Sequence, residues 1–308
     1  MATLEELLRT TSRTFALAIP LLPEPERRDV TLGYLVFRIA DTLEDADNLQ
    51  RDERIAGLAD FAATLDDLSP ASADDFAKKW APRRAIDNQH YQRLMEQAPD
   101  VLAALAQRPP AVREAVVRHA TRSIAGMQAT LRRAGADGSL RCRSVDELRR
   151  YCYHVAGIVG ELLTDLFERR LGRAAAEALH ADARWFGEGL QLVNILKDAD
   201  ADADAGRTYL PAGTPLGEVF AIAADDLTRA ARYIDVLREA SAPAGYIAFT
   251  RAPREMAVAT LKKLRLDGAG AKLTRPEVAA IMQDVQQECL ALSTTGSSSA
   301  SQTATRSE

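Results

Sequence analysis

Carboxylates recur one helical turn apart at two places in this 308-residue sequence. Asp41 and Asp45 are separated by four positions, as are Asp198 and Asp202. This spacing puts both members of a pair on one face of a helix. Each pair also follows a stretch that is too apolar to face solvent along its whole circumference. Oxygen ligands in such a place are typical of a Mg²⁺ site that shares its coordination with substrate phosphates.

Like charges at this spacing repel, and at the end of a buried helix they also lose hydration, so a bound cation relieves both effects. We predict a metal site built from six side chains: Asp41, Glu44, Asp45, Asn194, Asp198 and Asp202. For one pair alone, an acidic turn on the surface is the stronger interpretation. Two pairs at helix C-termini, each with a basic neighbour (Arg38 and Lys197), favour the metal site.

The composition favours helices, because 47% of residues are hydrophobic and only 6% are aromatic. A net charge of −5 gives no general attraction for nucleic acid. Three widely spaced cysteines indicate a reducing compartment rather than a disulfide framework. The N-terminus lacks a secretory signal, and no stretch reaches about 18 uncharged apolar residues. We therefore expect a cytoplasmic protein without a transmembrane anchor, for which peripheral membrane contact stays open.

Helical patterns cover most of the chain, and no convincing alternating strand is present. We predict helices at about 3–22, 25–45, 51–68, 84–106, 110–134, 144–170, 172–200, 216–239, 246–265 and 275–292. The prediction is an all-α, single-domain helical bundle over residues 1–292. Residues 293–308 are rich in Ser and Thr, and we predict that they form a disordered tail.

Five segments, in this order, carry a resemblance to a known family. They are residues 12–15 (SRTF), 34–45 (YLVFRIADTLED), 151–160 (YCYHVAGIVG), 191–211 (QLVNILKDADADADAGRTYLP) and 249–261 (FTRAPREMAVATL). Together they resemble the squalene/phytoene synthase family. The DTLED form of the first acidic motif and the last segment resemble squalene synthases more than phytoene synthases.

The resemblance implies a bundle of the isoprenoid synthase type with a central cavity. It implies Mg²⁺-dependent head-to-head condensation of two farnesyl diphosphates to presqualene diphosphate, which NADPH then reduces to squalene. Tyr151 would assist proton removal, acting with Asp41, Asp45, Asp198 and Asp202. The residues implied to bind substrate or cofactor are Ser12, Arg13, Phe15, Tyr34, Arg38, Gln191, Asn194, Lys197, Arg207 and Phe249.

Two departures from the family pattern bear on the product. Lys197 stands where the family usually has arginine, and the region around Lys272 only loosely follows the basic element of squalene synthases. The sequence contains no glycine-rich dinucleotide fingerprint, so NADPH would have to bind through basic side chains near the diphosphate site. The alternatives are dehydrosqualene or phytoene synthesis, a place in a multi-enzyme route through hydroxysqualene, and a non-catalytic helical metal-binding homologue.

Gly157 and Gly160 are expected to permit close helix packing or a kink.

Overall fold

The computed structural model describes residues 2–135 and 139–304. Its helices are α1 (Leu4–Thr11), α2 (Phe15–Ala18), α3 (Glu26–Glu44), α4 (Arg51–Asp67), α5 (Pro70–Trp80), α6 (Gln89–Glu96), α7 (Ala98–Ala106), α8 (Pro110–Arg133), α9 (Val145–Cys152), α10 (Ile158–Leu171), α11 (Arg173–Asp204), α12 (Leu216–Glu239), α13 (Ala244–Asp267) and α14 (Arg275–Ala304). Short 3₁₀ turns follow α2 (Ile19–Leu21) and α5 (Ala81–Arg83), and a π-helical segment (Tyr153–Gly157) joins α9 to α10. The all-α prediction is confirmed.

Helix α3 runs through the middle of the bundle because its central residues are apolar on every side. Leu32, Leu35, Val36 and Ile39 are all buried there, against neighbours that include α8 and α10. Helix α11 packs along α10 and α12 and reaches roughly 48 Å at 1.5 Å per residue. Each of these two helices ends in one of the acidic pairs, so the fold positions both pairs at helix C-termini.

Glycines allow the backbones of α10, α11 and the π-helical segment to approach one another closely. A Cβ atom added to Gly160 would lie 1.9 Å from the carbonyl oxygen of Ala183, and one added to Gly187 would lie 1.9 Å from that of Ala156. Real Cβ atoms do not approach backbone so closely. The predicted role of Gly160 in close packing is therefore confirmed, and the helix predicted over 144–170 is interrupted by the π-helical segment.

Two short strands were not predicted. Strands β1 (Leu140–Arg141) and β2 (Arg207–Thr208) pair in parallel, with Leu140 opposite Arg207. A pair of two-residue strands is too short to show an alternating pattern, which explains why the sequence did not indicate it. The pairing connects the segment before α9 to the segment after α11.

Some predicted helix boundaries were wrong. Helix α5 was not predicted, although Ser69 caps it and Pro70 opens it, which are ordinary start signals. The helix predicted over 84–106 is two helices, because α7 begins beside Pro99. Helix α14 continues past residue 292 to Ala304, and residues 305–308 lie outside the described part. The domain boundary and the tail stay predictions.

No helix in the described part of the chain combines the length and the apolar character needed to cross a bilayer.

Candidate active site

An apolar cavity of about 180 Å³ lies between α3, the π-helical segment, α10 and α11. Phe15, Tyr34 and Phe249, three of the residues that the resemblance implies bind substrate, all line it. Tyr34 is fixed there because its hydroxyl donates to the carbonyl oxygen of Thr11 at 2.7 Å. Phe249 is buried and meets Phe167 edge-on, with 6.3 Å between ring centroids. The cavity is suited to a flexible hydrocarbon chain, since apolar walls exclude water from it.

The two acidic motifs face one polar cavity of about 300 Å³. Its polar lining consists of Arg38, Asp41, Glu44, Asp45, Tyr151, Gln191, Asn194, Asp198, Asp202, Arg207 and Tyr209. Four of these, Arg38, Asp41, Gln191 and Asn194, also line the apolar cavity. The polar and apolar cavities are therefore adjacent, and a long amphiphile with an anionic head could occupy both.

Burial shifts the carboxyl groups of this cavity toward the neutral form. It raises the pKa of Asp41 to about 6, against the opposing charge of Arg38. Burial, together with the charges of Asp198 and Asp45, also raises the pKa of Asp202 to about 6, against the opposing charge of Arg207. The influence of Asp45 on Asp202 connects the two motifs across the cavity. Concentrated, poorly solvated negative charge of this kind is a favourable environment for a cation.

Glu44 and Asp45 complete the first motif at the C-terminus of α3. Burial raises the pKa of both, and for Glu44 the charges of Asp45 and Asp41 raise it further. Asp45 is the C-cap residue, where the helix dipole adds to the repulsion. Both carboxyls are harder to ionise than they are in water.

Basic side chains touch these carboxylates in the structure. Arg38 lies 3.4 Å from Asp41, and Lys197 lies 3.2 Å from Asp198. Arg207 lies 3.8 Å from Asp202 and donates to Asp47 at 3.0 Å. Since each contact joins a cation to a carboxylate at a half-buried position, all three basic residues are placed to move onto a phosphate group.

The donor chemistry fits Mg²⁺ only if other ligands complete its shell. The side chains provide carboxylate and amide oxygens, which are hard ligands that suit this ion. However, no three His, Cys, Asp or Glu side chains among the described residues converge closely enough to hold a metal ion by themselves. Mg²⁺ usually keeps several waters and shares substrate phosphates, so an open arrangement is compatible with it.

Tyr151 forms a pair with Tyr209 at the wall of the polar cavity. Their hydroxyl oxygens are 3.0 Å apart and their rings are stacked, with centroids separated by 4.5 Å. Burial, followed by the charge of Glu44, raises the pKa of both phenols well above the usual value. Both tyrosines are therefore neutral hydrogen-bonding groups. Sequence analysis missed Tyr209, although its place two residues after Arg207 was a usable signal.

A third pocket, of about 320 Å³, adjoins the polar cavity, with which it shares Asn194 and Asp198, and it carries three cationic residues. Arg13, Lys197 and Lys272 line it, together with Phe15 and Asn194, which also line the apolar cavity. Ser12 has a supporting position nearby, because its hydroxyl accepts a hydrogen bond from the backbone amide of Phe15 at 2.9 Å. Excess positive charge next to the apolar cavity makes this pocket suitable for a second anionic group.

Comparison with known proteins identifies the family of the chain. The squalene/phytoene synthase family matches residues 8–215, so the chain belongs to this family. The squalene synthase of Yarrowia lipolytica is 32% identical over 213 residues, and that of Schizosaccharomyces pombe is 28% identical over 208 residues. Each alignment covers 67% of this chain but only 44% and 43% of the relative, respectively, so the match spans less than half of those proteins.

Solved structures share the fold. A complex of TcSQS with the ligand E5700 superposes with a TM-score of 0.73, at 23% identity, covering 94% of this chain and 88% of the other. The squalene synthase HpnC from Alicyclobacillus acidocaldarius has a TM-score of 0.54, at 20% identity, covering 86% and 92%. The expected isoprenoid synthase type of bundle is thereby confirmed.

Proposed function

We propose that this protein condenses two farnesyl diphosphates head to head, with Mg²⁺, to presqualene diphosphate, and reduces that product to squalene with NADPH. The observation that carries the proposal is the apolar cavity that shares Arg38, Asp41, Gln191 and Asn194 with the polar cavity. Family membership and relatives named as squalene synthases support it.

The chain's own residues divide the work between the two cavities. The apolar cavity holds a prenyl chain and keeps water away from a reactive carbocation. Arg38 and Arg207 exchange their carboxylate partners for the oxygens of the diphosphate. Mg²⁺, when bound by the acidic motifs, supplies positive charge that stabilises the departing diphosphate. Gln191 and Asn194 stand where the two cavities meet, and we propose that they orient the carbon next to the leaving group.

The tyrosine pair is the proposed route for the proton lost when the new ring forms. A neutral phenol is a weak base, so Tyr151 accepts the proton only as it gives up its own. Tyr209 is in position to receive that proton, and the carboxylate of Glu44 or an oxygen of the diphosphate is the proposed final acceptor. Hydrogen bonding at 3.0 Å keeps the relay in place without a charged intermediate in the protein.

The third pocket is the proposed place for a second anionic group. Arg13, Lys197 and Lys272 surround it, and its wall shares Phe15 and Asn194 with the apolar cavity. It suits the diphosphate of the second substrate, or the phosphates of NADPH in the reductive step. NADPH, when bound, supplies the hydride. Replacement of Lys272 by Gln should raise the KM of whichever ligand uses the pocket, and an unchanged KM for both would rule out this assignment.

Product analysis tests the proposal. With farnesyl diphosphate and Mg²⁺ we expect presqualene diphosphate, and with NADPH also present we expect squalene, both identified by mass spectrometry. EDTA should abolish turnover and excess Mg²⁺ should restore it. Formation of dehydrosqualene with or without NADPH, or of phytoene from geranylgeranyl diphosphate, would instead indicate an enzyme of carotenoid synthesis. Hydroxysqualene from presqualene diphosphate would indicate a multi-enzyme route, and no release of diphosphate would indicate a non-catalytic homologue.

A hydrocarbon product must leave for a membrane, so we propose a cytoplasmic protein that contacts membranes peripherally. Sedimentation with lipid vesicles, in the presence and absence of squalene, measures this directly. Protein that stays entirely in the supernatant under both conditions would contradict the membrane contact.

A further inference from the structure

Two carboxylates outside the cavities are as deeply buried as any apolar side chain of the core. Glu188 on α11 is 0% exposed and Asp226 on α12 is 1% exposed. Burying a carboxylate costs free energy that apolar residues of the same volume avoid, even when a cation is nearby. Stability alone is therefore a poor reason for two such groups at one place.

Arg149 connects both carboxylates to the helix that carries the proposed catalytic tyrosine. Its guanidinium lies 3.3 Å from Glu188 and 3.2 Å from Asp226. Arg184 reaches Glu188 at 2.6 Å, and the Trp185 ring lies against both guanidiniums, at 4.8 Å from Arg149 and 4.2 Å from Arg184. This network fixes α9 against α11 and α12 through charged, directional contacts.

The same contacts bear on the orientation of Tyr151. Arg149 precedes Tyr151 by two positions on the eight-residue helix α9, so their side chains leave the helix about 200° apart. One side of α9 is thus held by the network while the other presents Tyr151 to the polar cavity. Helix α9 is too short to be stable alone, so these tertiary contacts determine its orientation.

Glu188 also touches the far end of the π-helical segment that follows Tyr151. A Cβ atom added to Gly157 would lie 3.3 Å from Oε1 of Glu188, which means that the carboxylate fits against this glycine. Glu188 is therefore paired with Arg149 and packed closely against Gly157, and Tyr151 lies between these two positions in the chain.

We propose that Glu188 and Asp226 are positioning residues that hold Tyr151 toward Tyr209 by way of Arg149. This inference rests on the proposed function for its effect on rate. Its structural part, that the network sets the environment of the Tyr151 phenol, is independent of any turnover.

Nuclear magnetic resonance of tyrosine labelled with ¹³C at the ζ carbon tests the structural part, with Tyr151→Phe used for assignment. Glu188→Gln keeps the shape of the side chain and removes its charge, and it should move the Tyr151 resonance. Arg229→Met is the matched control, because Arg229 lies over the same Trp185 ring at 4.8 Å but is paired with Asp225 at the surface. The control should leave the Tyr151 resonance unchanged. An unmoved resonance in Glu188→Gln overturns the proposal, whether or not the protein turns over prenyl diphosphates.

Kinetics test the effect on the reaction. Glu188→Gln should lower kcat about 10- to 100-fold and change KM by less than about twofold, since misplacement of a catalytic group by about 1 Å has effects of this size. Combined with Tyr151→Phe, it should cause no further loss, because one residue acts through the other. Independent, multiplying losses would overturn the positioning role. A wild-type protein without turnover, or a fully active Tyr151→Phe, would instead refute the proposed function or the role of Tyr151, and the resonance would still decide this inference.

Discussion

The carboxylates that the proposed reaction requires for its metal ion are paired with basic side chains in the structure: Arg38, Lys197 and Arg207. Each of these ion pairs is half-buried, and solvent still reaches both partners. They are therefore easily exchanged when a diphosphate and a metal ion arrive together. At the scale of single residues, the site is a set of ion pairs between groups that each have a more highly charged partner in the proposed complex.

Asp41→Asn and Asp198→Asn should each lower kcat by at least about 10²-fold, because each removes a negative charge from a metal site that stabilises the leaving group. Asp200→Asn is the matched control on the same helix. Asp200 is exposed, and at two positions from Asp198 it points to another face. Steady-state release of diphosphate measures all three variants. Equal losses at Asp198 and Asp200 would show that the assignment of faces is wrong.

Tyr151→Phe should lower the rate by about 10²- to 10⁴-fold, the range typical of a positioned acid–base group, and it should leave the fold intact. Tyr153→Phe is the control. The hydroxyl of Tyr153 bonds to Arg122 at 2.5 Å and Glu161 at 3.1 Å, in a charged network separate from the pair formed by Tyr151 and Tyr209. Circular dichroism checks folding in both variants. If Tyr153→Phe lowered the rate and Tyr151→Phe left it unchanged, the roles assigned to the two tyrosines would be reversed.

The sequence was sufficient to identify the residues that carry a repeated pattern. Asp41 and Asp198 were found because carboxylates one turn apart after an apolar helix are unusual. Tyr209 carries a signal only through its place after Arg207, and its stacking on Tyr151 is visible only in the structure. Glu188 carries no pattern, and its role depends on its contact with Arg149 of α9. Contacts between segments distant in the chain determine both roles, and a single sequence does not specify such contacts.

At the scale of elements, contact between backbones fixes the wall of the apolar cavity. The interruption of α9 and α10 by the π-helical segment was not predicted, because its residues have no propensity that separates a π turn from an α turn. The tertiary constraint is visible instead. Ser123 donates to the carbonyl oxygen of His154 at 2.7 Å, which satisfies a backbone group within the irregular segment.

Gly160→Ala should lower the free energy of unfolding by about 1–3 kcal/mol, the usual range for overpacking at a position that cannot relax. The added methyl group meets the backbone of Ala183 rather than a flexible side chain. Gly217→Ala in α12 is the control, since its Cβ would meet nothing within 4 Å. Alanine there should stabilise the helix by about 0.5–1 kcal/mol. Urea denaturation compares the two variants, and equal effects would contradict the close-packing argument.

For the whole molecule, the buried acidic motifs make stability depend on pH in a definite direction. The folded state raises the pKa of Asp41 to about 6 from an ordinary value of about 3.8. Between these values the folded protein binds more protons than the unfolded chain, so the contribution of Asp41 to stability falls as pH rises from about 4 to about 6. Asp202, with a pKa of about 6, acts in the same direction.

Asp41→Asn should therefore gain stability relative to the wild type as pH rises from 4 to 7, in the absence of metal ion and substrate. The asparagine does not titrate and keeps the size of the side chain. The difference in Tm between the two proteins, measured at several pH values in buffers containing EDTA, reports the titration of Asp41 together with its effect on Glu44, whose pKa the charge of Asp41 raises. A difference that stays constant over the range would contradict the raised pKa.

The parallel pairing of β1 and β2 also has a consequence for folding. Because Leu140 lies opposite Arg207, the chain between them is closed into a single loop that contains α9, the π-helical segment, α10 and α11. Loss of the pairing opens the loop and removes one of the contacts between the segments of Tyr151 and Tyr209, beside the stacking and the hydrogen bond of the two tyrosines. The amide hydrogens of Leu140 and Cys142, which bond to the carbonyl oxygens of Gly206 and Thr208 at 3.0 Å, therefore report that opening through their rates of exchange with deuterium. The exchange rates of these two backbone amides, which take no part in the proposed reaction, thus measure how often the strand pairing opens.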